Sequence, residues 1–219
     1  MSLELSGTTG VKGVAGSVAA PSIVGDDTNT GISFPAADTI KFSTGGVERM
    51  SITNSGITGI AAGITEADMF RYNTITTLSD GTTTDLNANW ERPDFANDAF
   101  GQLGTGMTES SGIFTFPSTG FYLVSFGITW TADGTSSGAN YHYIATTENN
   151  STYVDAAQQS NGAENGYYAG GFIQTLMDVT STTNVKVKFR VWADQANQKV
   201  FGDSNSSRVF VTFIRLGDT

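Results

Sequence analysis

The sequence holds no cysteine, one histidine (His142) and four prolines in 219 residues. Without cysteine, an extracellular domain stapled by disulfides is excluded, and so are a thiol nucleophile and any cysteine-based zinc cluster. A chain that folds in a reducing cytoplasm and is exposed later is not excluded. With one histidine, no multi-histidine metal site can be built within one chain, and a Ser-His-Asp triad through His142 is not expected for want of a nucleophile-elbow context. Basic residues are scarce as well: 11 Lys and Arg stand against 21 Asp and Glu, a net charge of -10. A nucleic acid or an anionic membrane surface repels such a chain, so neither is an expected partner. No apolar run reaches the roughly 18 residues of a membrane span. Residues 1–10 have neither a basic nor an apolar block, so no secretion signal is expected.

What is present is aromatic and glycine-rich. Charged residues make up 15% and aromatic residues 11% of the chain, which sets it apart from disordered sequences. The two kinds of residue are unevenly placed. Residues 1–63 carry 11 of the 26 glycines but only two of the 24 aromatics, Phe34 and Phe42. A single chain of that composition has too little bulk for a core of its own.

Four segments follow from this. Residues 1–24 read as an attachment segment that docks on another protein. Gly7, Gly10, Gly13 and Gly16 recur every third residue, the spacing of a collagen triple helix, although without proline. Residues 25–63 alternate in short bursts, Ile32 with Phe34, Ile40 with Phe42, Met50 with Ile52, then Ile57. Turn signals at Asp26-Asp27, Pro35 to Asp38, Gly45-Gly46 and Asn54-Ser55-Gly56 separate the bursts. Period-two alternation predicts half-buried strands, and strands this thin need identical neighbours to cover them. Ile32, Phe34, Ile40, Phe42, Met50 and Ile52 are therefore the expected contacts of a homotrimeric stalk. Residues 64–72 form a linker in which Thr65 three residues before Asp68 suggests a capped short helix. Residues 73–219 read as an all-β head.

Within the head, Tyr122, Val124, Phe126, Ile128 and Trp130 alternate on one face of a strand. Val185, Val187, Phe189 and Val191 do the same against solvent-facing Lys186, Lys188 and Arg190. The last strand is apolar on both sides. Val209, Val211 and Phe213 serve the core, and Phe210, Ile214 and Leu216 are expected to meet a neighbouring subunit.

Two stretches resemble known families. Gly25-Asp-Asp-Thr-Asn-Thr-Gly-Ile-Ser-Phe-Pro and Ile40-Lys-Phe-Ser-Thr-Gly-Gly-Val-Glu-Arg-Met-Ser-Ile are similar to the β-shaft of phage tail-fibre and appendage proteins. Gly112-Ile-Phe-Thr-Phe-Pro-Ser-Thr-Gly-Phe-Tyr-Leu-Val-Ser-Phe resembles the signature of the complement globular-head and tumour-necrosis-factor-like jelly rolls, as does the ending Phe210 to Leu216. The resemblance implies a ten-stranded, trimeric jelly-roll head on a short intertwined β-stalk, carried on a virion. Some members of that family bind calcium near the trimer axis. No matching Asp cluster occurs here, so no cofactor is expected and a metal on the axis is left open.

The expected activity is binding, not catalysis. Loops at 133–140, 148–153, 158–168 and 194–205 are rich in Asn, Gln and Ser beside aromatic residues. Asn149, Asn150, Tyr153, Tyr167, Tyr168, Trp192 and Asn197 are the candidate ligand residues, suited to a bacterial surface saccharide. The sequons at Asn149 and Asn205 are read as loops. Two other readings stand beside attachment: a structural head-fibre, collar or decoration protein, and a glycan-active depolymerase using a carboxylate pair.

Overall fold

Strands arise wherever apolar and polar residues alternate in short runs cut by Gly, Asn or Asp. The computed structural model describes residues 4–6, 10–12, 15–59, 63–94 and 102–219, and no helix occurs among them. The chain divides into two units, Met1–Gly63 and Ile64–Thr219.

In the first unit, β1 (Glu4–Ser6) and β2 (Gly10–Lys12) pair antiparallel, with Gly10 opposite Ser6. A hydrogen-bonded ladder at Gly10 is not the ladder-free coil of a triple helix; Gly7 and Gly13 lie outside the described residues. Then β3 (Ile23–Val24), β4 (Gly31–Ser33), β5 (Ile40–Thr44), β6 (Val47–Thr53) and β7 (Gly56–Thr58) make an antiparallel meander in chain order. The β5–β6 turn is two residues long, and both of them, Gly45 and Gly46, have positive φ (60° and 75°). A primed hairpin turn needs that conformation, which only glycine adopts without strain.

The second unit is a two-sheet sandwich of β8 (Ala67–Tyr72), β9 (Ile75–Thr77), β10 (Thr83–Asp85), β11 (Trp90–Glu91), β12 (Thr108–Ser110), β13 (Ile113–Thr115), β14 (Gly120–Ala132), β15 (Ser137–Thr147), β16 (Val154–Ala163), β17 (Tyr168–Val179), β18 (Lys186–Ala193), β19 (Gln198–Phe201) and β20 (Phe210–Gly217). One sheet runs β11-β8-β20-β14-β17. In it β19 pairs the far end of the β14 edge that β20 occupies, and β9 lies beyond β19. The other runs β12-β13-β18-β15-β16, with β10 on the β13 side of β18. Between them Phe114, Phe126, Phe189, Phe213 and Trp130 are buried, with ring pairs largely edge-to-face.

The Gly112 to Phe126 motif has a physical basis here. Phe114, Phe116 and Tyr122 fill the core, and the Tyr122 hydroxyl bonds the Ser118 hydroxyl at 2.9 Å. A β-carbon at Gly120 would sit 2.4 Å from the Gly217 carbonyl, so the position admits only glycine.

Three expectations are corrected. Residues 67–72 form the strand β8, not a helix, because Asp68 serves a distant loop: it accepts from the Met107 amide (2.7 Å) and the Arg92 guanidinium (3.0 and 2.7 Å). Lys186 points out of the core but is 8% exposed, since its flexible stem returns Nζ to Thr115 Oγ1 and the Thr182 carbonyl. Much of the expected loop at 158–168 is β16, an edge strand whose Gln158 and Ser160 face water while Gln159 and Asn161 bond the backbone of β17.

Candidate functional site

The first unit is built inside out. Its buried side chains, among the described residues, are Ser33, Ser43 and Ser51; no apolar side chain is buried. Register explains where the apolar ones go. Ile23 pairs with Ile32, Ile32 with Phe42 and Phe42 with Met50, while Ile40 pairs with Ile52 and Ile52 with Ile57. Two rows thus line one face of the meander, with Ile57 61% exposed. Phe34, Ile40 and Ile52 also border an open cleft of about 430 Å³. The six stalk residues expected to meet partner chains share this face or its cleft, Phe34 exposed and the other five half-buried.

The head leaves a second apolar face, on the outside of the β8-β20-β14-β17 sheet. Ala67, Ile214, Leu123 and Leu176 form one row across four strands. Phe210, Gly127 and Phe172 form another, four residues further along β14, with the polar row of Thr212, Ser125 and Gln174 between the two. Gly127 has no side chain because the Phe210 ring occupies that space: a β-carbon there would lie 2.4 Å from the ring. Leu176 is 66% exposed, and Phe121, Phe172 and Leu216 are exposed beside it. Of the three expected contacts, Phe210 and Ile214 are half-buried and Leu216 is exposed.

The seven candidate ligand residues are not brought together. Asn149 Oδ1 accepts from the amides of Ser151 and Thr152 and from the hydroxyls of Ser151 and Thr147, so its oxygen builds its own turn. Asn150 and Asn197 have positive φ (54° and 62°), and their amides donate to the distant carbonyls of Asn184 and Leu78. Tyr167 is exposed. Tyr168 joins the apolar face, its ring 4.9 Å from Phe201.

Tyr153 and Trp192 do share a surface, the outside of the β13-β18-β15-β16 sheet. There Trp192 lies beside Tyr141, with centroids 5.5 Å apart, and Tyr141 stacks on Tyr143 at 6.1 Å and 17°. Tyr141 and Tyr143 were not singled out as ligand residues. Their place beside Trp192 comes from the β15–β18 pairing, which links residues 51 positions apart. The neighbouring row is charged: Asp85 accepts from Lys188 Nζ (2.6 Å) and Arg190 Nε (2.9 Å), and Arg190 Nη1 reaches Asp155 (3.1 Å). Lys188 also lies over the Tyr153 ring at 4.5 Å. Burial, with Asp155 and Tyr141 adding to it, raises the pKa of Tyr143; burial, with Asp85 nearby, raises that of Tyr153. The phenols of Tyr143 and Tyr153 therefore stay neutral at physiological pH.

His142 is sealed between the sheets at 0% exposure. It packs edge-on to Phe126, and neither ring nitrogen has a hydrogen-bond partner. Burial lowers its pKa to about 4. The string Gly134-Thr-Ser-Ser-Gly138 has the spelling of a nucleophile elbow, but it leads into β15 and not a helix. Its Ser136 Oγ accepts the Asn165 amide.

Two solved structures repeat the arrangement of the head. Eiger TNF from S. frugiperda superposes with a TM-score of 0.52 at 14% identity, covering 72% of this chain and 96% of that one. Murine APRIL does so with a TM-score of 0.51 at 12% identity, covering 69% and 98%. The head is a tumour-necrosis-factor-like jelly roll. The PRD1 vertex protein P5 aligns with a TM-score of 0.45 at 16% identity, covering 71% of this chain and 100% of that one. By sequence, neither a known family nor a curated protein matches. The jelly-roll fold thus places the apolar outer face on one sheet and the Trp192–Tyr141–Tyr143 row on the other.

Proposed function

We propose that the chain is a non-enzymatic, homotrimeric subunit of a phage virion appendage, which displays the jelly-roll head to attach to a saccharide on the host surface. The observation that carries the trimer is the inverted stalk: serines are buried while two registered rows of Ile, Phe and Met are left half-buried or, at Ile23 and Ile57, exposed. Exposed apolar area of this kind is stabilised by roughly 25 cal/mol per Å² when copies cover it. The outer face of the head, from Phe210 to Leu176, supplies a second surface of the same character. Residues 1–24 would dock on another virion protein, and the resemblance of residues 25–52 to phage β-shafts supports the placement on a particle.

Three heads on one stalk turn weak single-site contacts into useful avidity through effective concentration. Sedimentation of the full-length protein at micromolar concentration tests the assembly; a trimer is expected, and a stable folded monomer overturns it. Labelled protein should bind host cells and compete with particle adsorption. If it does neither, while it decorates the particle in electron micrographs, the structural collar or decoration role replaces attachment.

A further inference from the structure

We infer that the outer face of the β18–β15–β16 sheet, centred on Trp192, Tyr141 and Tyr143, binds uncharged pyranose units; this rests on the head being an attachment module and moves its ligand site from loops to a sheet.

The register builds the site in two rows. Thr83, Trp192, Tyr141 and Ser160 stand side by side across four strands, and Asp85, Arg190, Tyr143 and Gln158 stand next to them. Strands lie about 4.8 Å apart, so each row is roughly 14 Å wide, which suits an oligosaccharide better than a single ring. The aromatic row is braced before any ligand arrives: Tyr141 is held against Trp192 on one side and Tyr143 on the other. Tyr and Trp fixed in this way offer amphipathic area at little further entropic cost.

Each of the three rings also keeps a polar atom free. Among the described residues, no hydrogen bond engages the indole N–H of Trp192 or the hydroxyls of Tyr141 and Tyr143, and all three side chains are partly exposed. Ser160 and Gln158 add exposed hydroxyl and amide groups at the β16 edge. A pyranose has the complementary surface, with C–H groups for the rings and hydroxyls that both donate and accept.

Charge selects an uncharged ligand. Lys188 and Arg190 are matched by Asp85 and Asp155 in closed ion pairs, which leaves no excess cation for a carboxylated or sulfated sugar. The net charge of -10 on the chain repels a polyanion further. Arg190, fastened between two carboxylates, presents a fixed planar edge beside Tyr143.

The test uses full-length protein on a printed array of neutral and acidic oligosaccharides, with acrylamide quenching of tryptophan as a second readout. Trp90 and Trp130 are buried, so quenching reports chiefly Trp192. Neutral sugars should bind and protect the fluorescence. Trp192→Ala and Tyr141→Ala should weaken binding about tenfold or more, with Tyr143→Phe and Trp192→Phe as milder variants that keep the packing. Thr180→Ala, at an exposed position outside these rows and outside the candidate loops, should change nothing. Binding that survives all four variants, or that is confined to acidic sugars, overturns the site but leaves attachment standing. An empty array with host-cell binding intact overturns the ligand class alone. Loss of both array and cell binding by the wild type sinks the attachment reading itself.

Discussion

A β-carbon placed on Gly171 would come within 2.5 Å of Cε1 of His142, and equally close to Oδ1 of Asn161. The missing side chain is what lets β17 close over the imidazole. Gly171→Ala forces a ring or a strand to shift, and overpacking a dense interior costs about 1–3 kcal/mol. The denaturant midpoint should fall accordingly with the slope unchanged. An unaltered midpoint would mean that the imidazole has another place to go.

The same histidine makes stability depend on acid. Its folded pKa, about 4, lies below the unfolded value of 6.5 because burial opposes the charge. Above pH 6.5 both states hold it neutral and it adds no pH dependence. Between pH 6.5 and 4 the unfolded chain takes up the proton first, so stability declines, by a limiting amount of about 3 kcal/mol once the pH is below 4. His142→Leu should flatten that part of the stability profile relative to wild type. Parallel profiles for the two proteins would refute the assignment.

Asp68 fastens the 102–107 loop to β8. Its carboxylate, 2% exposed, accepts from Arg92 and from the amides of Met69 and Met107. Asp68→Ala leaves a buried amide without its acceptor and should cost about 3 kcal/mol. Hydrogen exchange at Met107 should accelerate well before the core opens. Equal protection in both proteins would show that the carboxylate is not what holds the loop.

Leu176→Glu separates folding from assembly. Leu176 is 66% exposed in the single chain, so the substitution should leave the circular dichroism of the head intact. On the trimer reading it places three carboxylates in a dry contact, and sedimentation should show smaller species. An undisturbed trimer would place the subunit contact elsewhere on the head.

The sheets were largely legible in the sequence, because period-two alternation in Val185 to Val191 and Tyr122 to Trp130 reports burial directly. Long-range partners were not. Thr65 and Asp68 have the spacing of a helix cap, yet Asp68 answers Met107, 39 residues away. Gln158 to Ala163 is polar enough to read as a loop but pairs with β15 as a wet edge strand. The aromatic row was half visible: Trp192 was singled out, and only strand pairing joins it to Tyr141 and Tyr143.

The stalk and the head differ in what they can do alone. The jelly roll contains a dense aromatic interior, whereas the buried side chains of the meander, among the described residues, are three serines. On the proposed trimer, nascent heads mature on separate polypeptides, while ordering of the meander awaits an encounter. Its melting should climb with protein concentration, as it does for any element completed only by mass action.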